Sequence, residues 1–132
     1  LDWLLADRPT HVVLALGAND GLRAVPVAEM KANLDAMLAT LQEADVATLL
    51  AGMRAPPNLG RDYAERFEAV FRDVAARYDV AFYPFLLKNV AARPELNQPD
   101  GIHPNAEGVD VMVETIWPTF ETWLRESGVD PA

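Results

Sequence analysis

Three short continuous apolar runs alternate with longer segments in which apolar residues recur every three or four positions, and this alternation restricts the chain to a narrow class of folds. The runs at residues 12–16, 47–51 and 80–85 are punctuated by glycine or proline, Gly17 and Gly52 after the first two and Pro84 near the end of the third, the pattern of strands buried on both faces of a parallel sheet. Val27, Met30, Leu34, Met37, Leu38 and Leu41 form one helical stripe, with Pro26 placed for its opening turn. Tyr63, Phe67, Val70, Phe71, Val74 and Tyr78 form a second. Val109, Met112, Val113, Ile116 and Phe120 form a third, which Pro118 should kink or restart. Strand then helix, three times over, predicts βα units around a parallel sheet, with all three stripes in the core. Residues 1–6 read as the last turns of a further helix.

Composition narrows the function classes. Twenty Asp and Glu against eleven Lys and Arg give a net charge of -9 with no basic cluster, which argues against nucleic acid and against anionic lipid as partners. No apolar run approaches the ~20 residues that span a bilayer, so no membrane insertion is expected. The chain has no cysteine, which removes thiol nucleophiles, disulfides and Cys-based zinc sites.

In an open α/β sheet, ligands sit beyond the carboxyl ends of the strands, so the residues that follow each apolar run are the candidates. The first such segment is Gly17, Ala18, Asn19, Asp20 and Gly21. Its glycines permit close backbone approach, and an Asn amide there can donate to a developing oxyanion. The same residues also make an ordinary strand-ending turn. A dinucleotide fingerprint is not met, because position 19 is Asn where a glycine is needed and the next helix is expected only at about Pro26. The second segment is Asp100, Gly101, Ile102, His103 and Pro104. A carboxylate three residues before an imidazole can orient the ring and stabilise its protonated form, the orienter and base roles of a nucleophilic triad. Pro104 biases His103 toward extended backbone just ahead of a helix. The third segment, residues 54–60 with Asn58, either borders a pocket or is plain loop. A metal site lacks ligands: His11 opens the first run at the far end of the sheet, and no His-Glu-x-x-His spacing occurs.

Taken together, Asn19 and Asp20 within Gly-x-Asn-Asp after one strand, and Asp100 with His103 and Pro104 after a later one, resemble two signature blocks of the SGNH (GDSL-like) hydrolases. The similarity extends over residues 17–23, over 56–60 with Tyr63, and over 100–105, in the manner of the bacterial branch of multifunctional acyl-CoA thioesterases, lysophospholipases and arylesterases. The resemblance implies a three-layer α/β/α flavodoxin-like fold and a serine hydrolase that cleaves esters or thioesters without a cofactor. His103 would activate the serine, Asp100 would hold His103, and Asn19 would share the oxyanion hole. Gly17, Asp20, Gly21, Leu22 and Asn58 would line the substrate site, and residues 21–25 and 86–96 would border the acyl pocket. Export to the periplasm or secretion fits the same branch.

The chain departs from the family at one point: neither the Gly-Asp-Ser block nor the following glycine block is present. Its single serine, Ser127, lies beyond the last helical stripe, and no threonine stands in its place at a strand-to-helix turn. Three parallel strands would also leave the first without its central neighbour in a 2-1-3-4-5 order. The expectation is that residues 1–132 form the C-terminal part of one SGNH domain and that about two βα units, carrying the serine, precede it as a partner segment of the same protein. The chain alone is then expected to be inactive. A binding or scaffolding relative that has truly lost the nucleophile is the alternative.

Overall fold

The computed structural model describes residues 1–131, which divide into two compact units, Leu1–Pro84 and the segment from Phe85 onward. In the first unit a single helical turn, α1 (Asp2–Leu5), precedes strand β1 (His11–Leu14). There follow α2 (Ala18–Leu22), α3 (Val27–Glu43), β2 (Ala47–Ala51), α4 (Arg61–Arg77) and β3 (Ala81–Tyr83). The sheet is parallel in the order β1-β2-β3, with Leu14 beside Leu50 and Leu50 beside Phe82. The α/β class and the parallel sheet are those expected from the alternation.

Alternate residues of the strands point to opposite faces, and the face formed by Val12, Leu14, Leu50 and Phe82 carries the main core. Helices α3 and α4 both pack on it, through Met30, Leu34, Leu38 and Leu41 from one and Phe67, Val70, Phe71 and Val74 from the other. These residues fall on the two predicted stripes because both helices present one face to the sheet. Each fully buried Leu or Phe contributes about 1.5–3 kcal/mol by leaving water. A half-buried carboxylate, Asp35 on α3, accepts from Lys31 at 2.7 Å and lies 3.5 Å from Arg77 of α4, tying the two helices at the core's margin.

The other sheet face is uneven. Leu49 and Ala51 of β2 are fully buried there, whereas Val13 of β1 is 42% exposed. Strand β1 pairs only with β2, so its second edge is unpaired within the described residues.

The second unit opens with an irregular stretch, residues 85–105, that includes one 3-10 turn at Pro94–Leu96, and it continues into α5 (Ala106–Glu126). Asn105 caps α5, its side chain accepting from the Gly108 N–H at 2.9 Å. Two expectations are corrected in α5. The helix continues through Pro118 and does not restart: the carbonyl that proline leaves without a donor belongs to Glu114, which is exposed and can be hydrated. The third stripe is not closed core either, since Val109 and Val113 are exposed while Met112, Ile116 and Phe120 are half-buried. No helix among the described residues is long and apolar enough to cross a membrane.

Candidate active site

In the first unit, β1 ends at Leu14 and the chain passes through Gly17, whose φ of 105° only glycine adopts without strain, directly into α2. The helix therefore opens at once and does not wait for Pro26, so that ground against a dinucleotide site falls; the Asn at position 19 still stands against one. Turn-forming residues in a five-residue segment carry no helical period, which is why the sequence conceals α2.

The floor under α2 is aromatic. A methyl group on Gly17 would lie 2.8 Å from Phe71 Cζ, and one on Gly21 would lie 3.1 Å from Phe67 Cζ and 3.6 Å from Ala55 Cα. Phe67 and Phe71 meet edge to face at 5.5 Å between ring centres, and Tyr63 stands 6.0 Å from Phe67. The Tyr63 hydroxyl donates to the Val25 carbonyl at 2.6 Å, closing the loop after α2. Two glycines thus allow the backbone to settle on one face of α4, and that contact sets where Asn19 stands.

Asn19 is exposed and Asp20 half-buried, and with Gly17 they line a cavity of about 560 Å³ completed by Asn33, Ala36 and Met37 of α3. Gly21 is buried in the contact with α4, and Leu22 is exposed beside it. Asn58 sits apart, exposed in a 3-10 turn at Pro57–Leu59, and does not line this cavity. His11 is the first residue of β1, at the end of the strand opposite Gly17, with its Nδ1 2.9 Å from Thr10 Oγ1.

In the second unit, Asp100 and His103 meet within one turn. His103 Nδ1 donates to Asp100 Oδ2 at 2.6 Å, and Asp100 Oδ1 accepts from the backbone N–H groups of Ile102 at 2.9 Å and His103 at 3.1 Å. An ionised carboxylate can only accept, so Nδ1 carries the proton and a neutral ring presents Nε2 as its basic atom. The imidazole hydrogen bond, followed by the two backbone donors, holds the Asp100 carboxyl down at about 2. The His103 side chain is 69% exposed and that of Asp100 42%, so the ring is held at one nitrogen and open at the other. Asn97 and Pro104 pair as an antiparallel bridge beneath the turn. Among the described residues, no three His, Asp or Glu side chains are grouped so as to hold a metal ion.

Across residues 1–111 the chain matches the model of the GDSL-like lipase/acylhydrolase family. It belongs to that family. Esterase TesA of Pseudomonas aeruginosa is 37% identical over 121 residues, which is 92% of this chain and 60% of that protein. Thioesterase 1/protease 1/lysophospholipase L1 of Escherichia coli K12 is 37% identical over 100 residues, 76% of this chain and 48% of the relative. The crystal structure of TesA superposes with a TM-score of 0.87 at 38% identity, covering 93% of this chain and 69% of that one. The psychrotrophic esterase EstA from Pseudoalteromonas sp., solved with monoethylphosphonate as inhibitor, gives a TM-score of 0.89 at 34% identity, covering 95% of this chain and 69% of that one. The chain thus has the fold of GDSL-like hydrolases and spans about half to three-fifths of the length of these curated relatives.

Proposed function

We propose that the chain is the C-terminal part of a single GDSL-like hydrolase domain that cleaves carboxylic esters or acyl thioesters through an acyl-enzyme. The observation that carries this reading is the Asp100–His103 pair: a 2.6 Å bond at Nδ1 fixes the tautomer and leaves the exposed ring to work through Nε2. A serine hydroxyl gives its proton to Nε2 as its oxygen attacks the acyl carbon. The leaving alkoxide or thiolate then takes that proton, and a water activated by the same nitrogen releases the acid. Asn19 supplies a side-chain N–H to the oxyanion, and Gly17 and Asp20 line the adjoining cavity with it.

The serine of this scheme belongs to a preceding segment of the same domain. Ser127 is the one serine of the chain, and its hydroxyl donates to the Trp123 and Leu124 carbonyls at the end of α5. Three features support a preceding segment: the unpaired edge of β1, the exposure of Val13 and Leu16 beside that edge, and the greater length of the relatives. The net charge of -9 offers no attraction to anionic thioester carriers and favours neutral esters or lysolipids as substrates.

The test is hydrolysis of short- and medium-chain p-nitrophenyl esters by the full-length protein. Activity should be present and should disappear in His103→Ala. Full activity in that variant would overturn the assignment, and binding without turnover in the parent would favour a scaffolding relative.

A further inference from the structure

Asp100 and His103 hold each other, but their mutual bonds say nothing about where the turn stands on the protein. That position is set from below. The stem of the turn is closed by the Gln98 N–H donating to the His103 carbonyl at 2.8 Å and by the Asn105 N–H donating to the Leu96 carbonyl at 3.0 Å. The buried Asn97 amide donates to the carbonyls of Val90 and Arg93, both at 2.8 Å, which anchors one side of the stem in the irregular stretch. On the other side Asn105 works at both ends of its amide: Nδ2 donates to the Glu95 carbonyl at 2.9 Å, while Oδ1 accepts from the Gly108 N–H at 2.9 Å.

Gly108 is the point where α5 meets this stem. A Cβ there would fall 2.1 Å from the Leu96 carbonyl oxygen and 3.1 Å from Pro104 Cβ, and the first of these neighbours is backbone that cannot rotate away. The Leu96 carbonyl is also the acceptor for Asn105, so any side chain at 108 would push on the bond that closes the stem.

We propose that Gly108, Asn105 and Asn97 are positioning residues for the acid–base pair, fixing the register of the Asp100–His103 turn against α5 and the segment that precedes it. The inference rests on the acyl-transfer reading above. It requires that displacing the stem moves the pair as a unit, leaving its internal hydrogen bonds made while His103 Nε2 leaves the reacting geometry. Misplacement of a catalytic group by about 1 Å can cost about 100-fold in rate.

The experiment uses the full-length protein and two variants, Gly108→Ala and Asn105→Asp, the second keeping the helix-capping oxygen while losing the donor to Glu95. Three quantities are read: kcat and KM on p-nitrophenyl butyrate, the titration of the Asp100 carboxyl carbon, and amide exchange at Gln98 and Asn105. Gly108→Ala should lower kcat about 10- to 100-fold with KM changed less than about threefold. The Asp100 midpoint should stay at its parent value, because the pair itself survives. Asn105→Asp should lower kcat about tenfold and speed exchange at both stem amides by about as much, with the interior of α5 unaffected. Should Gly108→Ala fail to fold, Asn105→Asp decides alone. Parent-like kcat with parent-like stem exchange in Asn105→Asp overturns the proposal, as does a kcat loss accompanied by an Asp100 midpoint raised toward the ordinary carboxylate range, which would mean that the pair had simply come apart. If the parent shows no hydrolysis while stem exchange still responds as stated, the acyl-transfer reading fails and the architectural role of the stem stands.

Discussion

Replacing Gly17 with alanine puts a number on the contact between α2 and its aromatic floor. Two costs add. An L-residue held at a φ of 105° pays for backbone strain, about 1–3 kcal/mol. The new methyl would also lie 2.8 Å from Phe71 Cζ, and Phe71 has nowhere to retreat: it is 1% exposed and wedged edge to face against Phe67. Overpacking of that kind costs about 1–3 kcal/mol. The sum, about 2–6 kcal/mol, is a large share of the ~5–15 kcal/mol that holds an ordinary domain together. Urea unfolding followed by circular dichroism measures it as a fall in midpoint at constant slope. Gly128→Ala separates the two costs, because Gly128 also has a positive φ, 89°, but no neighbour within 4 Å of a new Cβ. The packing share should also shrink when Phe71→Leu is made alongside Gly17→Ala, giving a coupling of about 1–2 kcal/mol between the two sites. Equal losses in Gly17→Ala and Gly128→Ala, or strict additivity with Phe71→Leu, would refute the idea that Phe71 holds the backbone of residues 17–21.

Other expectations are simpler. Asn19→Ala in the full-length protein should lower kcat on p-nitrophenyl esters by about 100- to 1,000-fold, the usual cost of one oxyanion donor; a loss under threefold would remove Asn19 from that role. Tyr63→Phe should cost about 1 kcal/mol in urea unfolding by removing the 2.6 Å bond to Val25, and an unchanged midpoint would show that water replaces it without loss. Asp100 has a folded pKa of about 2, below the ~3.9 of an unfolded chain, so its contribution to stability is complete above about pH 4 and disappears as pH falls through 2. The stability difference between parent and Asp100→Asn should therefore shrink as pH falls from 4 to 2. A difference independent of pH would contradict this.

What the sequence discloses follows from what its patterns encode. Periodicity locates α3 and α4 and the faces they bury, because one face of each meets a sheet and the stripe records it. Strand β2 occupies the whole of the run at Ala47–Ala51, since it is flanked on both sides and pairs along its length. Strand β1 stops at Leu14, short of the apolar run, and Leu16 lies exposed beyond it, because hydrophobicity alone does not report where pairing ends. Helix α5 is located by its period, but the exposure of Val109 and Val113 is invisible to a pattern that presumes a partner for every stripe. Of the candidate site, Asp100 and His103 are readable because acid and base are close in sequence. Residues 85–105 are not, since their order comes from the amides of Asn97 and Asn105 reaching backbone carbonyls four to ten positions away, which leaves no period.

The Asp100–His103 pair also has a thermal consequence. The two residues stand only three positions apart, so bringing them together costs little chain entropy compared with pairs drawn from distant elements. Asn19, by contrast, keeps its place only while the packing beneath Gly17 and Gly21 is intact. On warming, the imidazole should therefore stay oriented after Asn19, the proposed oxyanion donor, has loosened. Partial heat inactivation would then lower turnover while leaving the pH profile of the surviving activity unchanged.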